Sequence, residues 1–502
     1  MTPMHSTSTN LVQAFAVFWR SAGQQDRPAI IGSDRQLSYA ELADAVGLLA
    51  GKLKAAGIGK GDRVALTMQR SVDLAVALLA VLVAGACPCV VEPKLGREET
   101  LRRFSLTRIG WVLLDTHHAG DESLSKISGV RRVLLAALPQ APAYWASNVL
   151  PDAPAFLLFT SGSSGKPKGV LQNHRGLWLN ALGVIAHSRL SAEDRLLHVM
   201  PLHHTNGVNN QMFAALLAGS TIVLAERFKA EDMPRLMERY RPTIITGVPT
   251  MYSRMLSCEF SQASLSALRM ARCGSAPITE ELHRRVEAKL GMPLVVSYGL
   301  SEATCTSTMN PPNARRIGSV GTVLQGQNVC LLDGAGQVLE GAQREGEICI
   351  SGGSLMLGYL DEQSDGQPRG CGDVLHTGDL GRFDAQGYLF ITGRIKDVII
   401  RGGENLSPNL IESVLVKVPG VHACCVVGRA DPDLGEVPCA FVVKMPDPSG
   451  MALTEERLGA AVMAELSRIH KPVHYFYVEA LPENSVGKVD RKALALRLAA
   501  VH

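Results

Sequence analysis

The chain is short of aromatic and charged residues. Phe, Trp and Tyr make up 5% of its 502 residues, and Asp, Glu, Lys and Arg 19%, below the roughly 25% charged of an average soluble domain. Fifty basic side chains against 47 acidic ones leave a formal charge of +3, with no basic tail or stripe. Binding nucleic acid or another polyanion is therefore excluded as the main task. The eleven cysteines include no Cys-x-x-Cys and no histidine cluster nearby, so the spacing suggests neither a zinc site nor a disulfide framework. There is no internal repeat and no low-complexity segment. The first ten residues are polar and lack a basic stretch leading into an apolar one, so no signal peptide and a cytoplasmic location are expected. Residues 74–91 carry no charge, and 18 residues is the lower limit for a membrane helix. Gly85 and Pro88 interrupt that run, so a buried helix, a turn and a buried strand are expected instead of a membrane span.

What is abundant is aliphatic. Apolar residues form 46% of the chain, enough for a large core and incompatible with a mostly disordered chain. At about 150 residues per domain the length suggests roughly three domains. Leu42, Val46, Leu49 and Leu53 recur at helical spacing over residues 39–56, and the glycines at 57, 59 and 61 end that run. Strand-like runs at 63–68, 87–91, 111–114, 133–135, 155–159, 196–200, 221–224 and 244–247 alternate with helical ones at 74–84, from Arg175, at 211–217 and at 230–240. Such alternation predicts α/β layers with largely parallel sheets. After about Gly299 the texture turns β-rich, with short strands and Gly-rich turns in 318–332, 346–350 and 383–390. From Asp397 a further α+β unit is expected, with helices near 409–417 and 454–466 and a last helix from Arg491.

Five short motifs carry chemistry. Thr160-Ser161-Gly162-Ser163-Ser164-Gly165-Lys166-Pro167-Lys168-Gly169 follows a predicted strand. A loop rich in glycine and hydroxyls lets backbone N–H groups approach phosphate oxygens, and two lysines add positive charge. The P-loop spacing Gly-x-x-x-x-Gly-Lys-Ser/Thr is absent, and on composition alone a flexible surface loop is an equal reading. The others are Tyr298-Gly299-Leu300-Ser301-Glu302, His376-Thr377-Gly378-Asp379, Gly393-Arg394-Ile395-Lys396-Asp397 running into Arg401-Gly402-Gly403-Glu404-Asn405, and Gly487-Lys488-Val489-Asp490-Arg491. Singly, each has a dull explanation: a helix-start carboxylate, a turn residue, a solvated lysine.

Together and in this order they resemble the acyl- and aryl-CoA synthetases of the adenylate-forming (AMP-binding) superfamily. The resemblance runs from Leu37-Ser38-Tyr39-Ala40-Glu41-Leu42 through Gly346-Glu347-Ile348 and Gly358-Tyr359 to Lys488. It implies a large N-terminal domain (1–394) of α/β layers plus a β-rich subdomain, a hinge (395–397) at Lys396, and a small mobile C-terminal α+β lid domain (398–502). It also implies ATP, Mg²⁺ and CoA as cofactors. A carboxylate attacks the α-phosphate of ATP, pyrophosphate leaves, and the acyl-adenylate passes to a thiol. The 160–169 loop, with Thr160, Ser161, Gly162, Ser163, Ser164, Gly165 and Lys168, would hold the β- and γ-phosphates, and Glu302 the Mg²⁺. Tyr298 would pack on adenine, Asp379 take both ribose hydroxyls, and Arg394 contact ribose or phosphate. Lys488 would serve the charge developing at the α-phosphate, and Gly402, Gly403, Glu404 and Asn405 would line the CoA tunnel. The motif's usual Thr before Glu302 is Ser301, which keeps the hydroxyl.

For the acid, Pro201-Leu202-His203-His204-Thr205-Asn206-Gly207 fits the family's acyl-pocket segment, with His204 as the lining residue. The other pocket borders are Gly274-Ser275-Ala276-Pro277 and the segment from Gly247 to Arg254. Arg254 could face a second carboxylate, as in a malonyl-type CoA ligase, or be structural. With the border read as apolar or small, a fatty or aryl monocarboxylate is the expected substrate. No Asp lies between Met200 and Gly219, which argues against an α-amino acid. Transfer to an acyl carrier protein instead of CoA, and a homodimer, stay open.

Overall fold

The alternating first half of the chain folds into two sheets with parallel cores. The larger has nine strands in the order Thr322–Val323, Thr308–Met309, Leu294–Tyr298, Met270–Cys273, Ile244–Gly247, Arg195–His198, Thr221–Leu224, Pro28–Ile31 and Gln36–Ser38. From 294–298 to 28–31 every pairing is parallel, and only the edges are antiparallel. The second sheet is parallel throughout, in the order Cys87–Val90, Arg63–Thr67, Trp111–Leu114 and Arg131–Leu134. The computed structural model describes residues 10–33, 35–93, 95–120, 129–160, 167–483 and 489–499. Most of the phosphate-loop motif (161–166) and Lys488 lie outside the described residues.

Local chemistry explains the helices that separate these strands. Ser38 and Glu41 close a capping box on the helix Tyr39–Ala55: the Ser38 hydroxyl accepts from the Glu41 amide, and the Glu41 carboxylate accepts from the Ser38 amide. Two otherwise orphaned donors are thereby satisfied. The uncharged run at 74–91 becomes the helix Val72–Val83, capped by Ser71, a turn at Gly85, and the strand Cys87–Val90. All of that helix except Asp73 is buried. At about 1.5–3 kcal/mol per large apolar side chain removed from water, burial accounts for its apolar content. No helix among the described residues is long and apolar enough to cross a membrane.

Two features depart from the sequence expectation. The strand Pro154–Thr160 pairs antiparallel with Lys168–Asn173, which also pairs with Gly358–Leu360, so antiparallel strands flank residues 161–166 of the phosphate-loop motif. The helix expected at 211–217 starts earlier, as a π-helix over Asn206–Phe213 that runs on into Ala214–Ala218. Such wide-pitch turns are often found at functional sites.

The β-rich segment is an antiparallel sheet of Asn328–Leu332, Glu345–Ser351, Val374–Phe383 and Leu389–Arg394. Its last strand ends at Arg394 and leads through a 3₁₀ turn, Ile395–Asp397, into the small C-terminal domain. There the sheet order is Glu404–Leu406, Ile399–Arg401, Gly435–Lys444, Val421–Asp431, with His474–Tyr477 added parallel to Gly435–Lys444. Helices Pro408–Leu415 and Glu455–Glu465 give this domain a core of its own, around Ile411, Val414, Leu458 and Val462.

Candidate active site

Asp379 is the best-built polar group of the motifs. It is buried, 6% exposed, on the strand Val374–Phe383, directly across from Arg394 in the register. Arg394 Nε donates to Asp379 Oδ1 at 2.6 Å and the Tyr298 hydroxyl donates to Oδ2 at 2.8 Å. Three residues from three motifs thus meet on one carboxylate. Burial, and after it the Asp379 charge, push the Tyr298 phenol well above its ordinary pKa, so it stays a donor. The turn before Asp379 is held from below. Glu347 accepts from the Gly378 amide at 2.9 Å and pairs with His376 at 2.8 Å, and Thr377 Oγ1 donates to the Ile348 carbonyl. An ionised carboxylate offers about four lone-pair sites. Two are used here, which leaves Asp379 able to accept two more donors.

Glu302 sits in the 3₁₀ turn Ser301–Ala303, after the strand that ends at Tyr298. Gly299 between them has a steric reason: a Cβ there would lie 1.9 Å from the Cys305 carbonyl oxygen. The Tyr359 hydroxyl donates to Glu302 Oε1 at 2.9 Å, and Lys168 Nζ stands 4.9 Å from the centre of the Tyr359 ring. Tyr359 therefore joins Glu302 to the base of the phosphate-loop hairpin. The sequence reading quoted Tyr359 without a role, because its partner is 57 positions away. A half-buried carboxylate with one oxygen so engaged suits a hard cation such as Mg²⁺, which takes few protein ligands beside phosphate oxygens and water.

The pocket-border residues fall into two places. Ser275, with Gly274 and Ala276 beside it, follows the strand Met270–Cys273, and Asn206 Nδ2 donates to Ser275 Oγ at 3.5 Å. The His203 and His204 rings lie 4.4 Å apart between centres, tilted by 51°, and His204 is two residues before the π-helix. Arg254 is elsewhere. Its side chain is 59% exposed and donates to Glu483 of the C-terminal domain at 2.9 Å, so it bridges domains rather than facing a buried carboxylate.

Buried polar residues stand beside the segments expected to border the acyl pocket. Asn206, Asn209, Asn210 and Arg272 are all buried. Asn210 donates to Thr306 Oγ1 at 2.8 Å and accepts from Asn180 at 3.1 Å. Arg272 donates to Thr246 Oγ1, its register neighbour on the parallel strand, and to the Asn210 carbonyl. The one available signal was a lone charge inside the apolar strand run Met270-Ala271-Arg272-Cys273. Asn206, Asn209 and Asn210 stand at i, i+3 and i+4, a spacing that shares one helix face, but only the fold shows that this face is buried.

Lys396 is exposed in the turn between the two domains. It shares an open groove with Gly402, Gly403 and Leu434. Gly402 and Gly403 form the two-residue turn of the hairpin Ile399–Arg401/Glu404–Leu406, with φ of +57° and +89°. Positive φ at both positions is the signature of the tight hairpin turns that favour glycine.

A parallel-cored α/β domain, a β-rich subdomain carrying the Asp379 cluster, and a small α+β domain joined beside Arg394 define an adenylate-forming enzyme. Comparisons with known proteins agree. The AMP-binding enzyme family matches residues 17–360, and the AMP-binding enzyme C-terminal domain matches residues 410–488. The chain is 34% identical to a sulfoacetate–CoA ligase of Cupriavidus necator, over 95% of this chain and 96% of that one. It is 32% identical to a feruloyl-CoA synthase of Amycolatopsis, over 90% and 92%. The ATP-bound crystal structure of MatB from Rhodopseudomonas palustris superposes with a TM-score of 0.88 at 28% identity, covering 97% of this chain and 98% of that one. The chain belongs to the AMP-binding enzyme family, and within it to the AMP-forming acid–CoA ligases.

Proposed function

We propose that this ligase runs both half-reactions at the Asp379–Glu302 site, on a small organic acid, with ATP and CoA as the other substrates. The observation that carries the residue roles is the convergence of Tyr298 and Arg394 on buried Asp379, with the Tyr359–Glu302 pair nearby. Asp379 accepts the two ribose hydroxyls with its remaining lone pairs, and Tyr298 lies against the base. Glu302 would hold a Mg²⁺ that accompanies ATP, and residues 160–169 would take the β- and γ-phosphates. In the first half-reaction a carboxylate oxygen of the acid attacks the α-phosphorus, and the bond to the bridging oxygen breaks. Pyrophosphate leaves with that electron pair. Such transfers need chiefly positioning and charge stabilisation, which Lys488 supplies from the small domain. That domain, from residue 398, then turns about 395–397 and brings the 402–405 hairpin to the site. The CoA thiolate attacks the acyl carbon, and AMP leaves. Relatives named for sulfoacetate and for feruloyl-CoA support CoA as acceptor. A cytoplasmic location follows from dependence on ATP and CoA.

The test is ATP–pyrophosphate exchange over a panel of mono- and dianionic acids, followed by CoA and a phosphopantetheinyl carrier protein as acceptors. Acid-dependent exchange and a CoA thioester are expected. Exchange followed by transfer only to the carrier protein would move the acceptor. No exchange with any acid would overturn the activity.

Arg254 gives a further check. An ion pair this exposed is worth about 0–1 kcal/mol. Arg254→Ala is therefore expected to lower thermal stability slightly and to change exchange rates by a similar small factor for every acid. A large loss confined to dicarboxylates would return Arg254 to the acyl pocket.

A further inference from the structure

We infer that the acid substrate carries a second anionic group, a carboxylate or sulfonate a short distance from the carboxylate that is adenylated, and that Arg272 binds it. The inference rests on the acid–CoA ligase reading above and names the substrate class of that same site.

Arg272 is 3% exposed. A guanidinium is planar with five N–H donors and no acceptor. Its Nε is used by Thr246 Oγ1 at 3.2 Å and its Nη2 by the Asn210 carbonyl at 3.4 Å. Nη1 has no hydrogen-bond partner among the described residues. Both acceptors are neutral. The opposite charge that acts on it from nearby, Asp194, is already taken by Arg269, through Nε at 2.6 Å and Nη2 at 2.9 Å, and by Thr243. Burial pulls the Arg272 pKa down to about 10, which leaves it charged at neutral pH. A buried cation without an anion is costly, and a purely structural tie could be made by a neutral donor.

The surroundings put this charge beside the segments expected to border the acyl pocket. Arg272 lies two residues before Gly274 on the strand that delivers Ser275. The residue that accepts its Nη2 donor, Asn210, sits one turn along the π-helix from Asn206, which bonds Ser275. Asn210 also binds Thr306, four residues after Glu302. A fixed guanidinium fork with a free N–H pair matches the oxygens of a carboxylate or a sulfonate. An uncharged alkyl or aryl end would leave Nη1 orphaned.

The experiment compares the wild-type enzyme with Arg272→Met and Arg272→Lys in ATP–pyrophosphate exchange. The acids are malonate, succinate and sulfoacetate against acetate, butyrate and benzoate. Wild type is expected to favour one of the three dianions over every monoanion. The carboxylate and sulfonate arms identify which anion the pocket takes. Arg272→Met is expected to reduce kcat/KM for that dianion by roughly 30- to 5,000-fold, the range for stripping one partner from a buried charged pair. Rates with monoanions should stay within a few-fold, and Arg272→Lys should recover part of the loss. Should Arg272→Met fail to fold, two wild-type measurements decide: the acid preference, and the rise in melting temperature with each acid in the presence of ATP. Wild-type preference for a monoanion, or an equal loss for all acids in Arg272→Met, overturns the inference while leaving the ligase activity standing. Absence of exchange with every acid overturns the activity itself.

Discussion

Replacing Lys488 with alanine is expected to slow acyl-adenylate formation by roughly 10²- to 10³-fold, the usual cost of removing one preorganised donor from a developing charge. The affinity for ATP should change little, because the nucleotide contacts assigned here belong to Tyr298, Asp379 and Arg394, all outside the C-terminal domain. The lysine is a compact charge on a flexible stem, suited to a group that must arrive for one step and leave for the next. Thioester formation from supplied acyl-adenylate and CoA should stay within a few-fold of wild type, because the small domain has then turned. Pyrophosphate exchange reads the first half-reaction, and single-turnover thioester formation the second. Equal losses in both would remove the domain rotation from the mechanism.

What was legible in the sequence was local. Apolar runs such as Arg63–Thr67 and Trp111–Leu114 became strands, and Ser38 with Glu41 marked a helix start three residues apart. Asp379 and Tyr298 were recognisable because each sits in a short motif whose residue types have few other uses together. What stayed hidden depends on contacts between distant segments. The Lys168–Asn173 strand was masked by the phosphate-loop motif that runs into it, and its register is set by Pro154–Thr160 and Gly358–Leu360. Tyr359 acquires a role only when folding brings it to Glu302. The two arginines show the limit most plainly. Arg254, after a Pro-initiated helix start, could be structural or a pocket charge, and only its partner 229 positions away decides for the structural role. Arg272 lay inside a strand and drew no attention, yet it is the buried one. Burial, which separates a surface ion pair from a recognition charge, is a property of packing and not of spacing.

The second large effect is expected at the Gly402-Gly403 turn. Gly403→Leu should leave pyrophosphate exchange within a few-fold of wild type and reduce CoA thioester formation by at least about 100-fold, the scale on which a small misplacement near a reacting centre is felt. The hairpin belongs to the small domain, so adenylation is expected to have no need of it. A Cβ on Gly403 meets nothing within 4 Å in the present arrangement, so the side chain would be tolerated sterically while the acid is being activated. The cost has two parts. A leucine at φ +89° strains the turn, since L-residues disfavour that region, and once the hairpin enters the site its bulk occupies the path of the thiol. Gly403→Asn separates them, because asparagine visits positive φ more readily and is smaller. If strain dominates, Asn restores thioester formation and the melting temperature together. If bulk dominates, Leu keeps a near-normal melting temperature and still blocks CoA. Collapse of pyrophosphate exchange in Gly403→Leu, with the fold intact by circular dichroism, would show that this turn serves the first half-reaction and would take the CoA tunnel away from it.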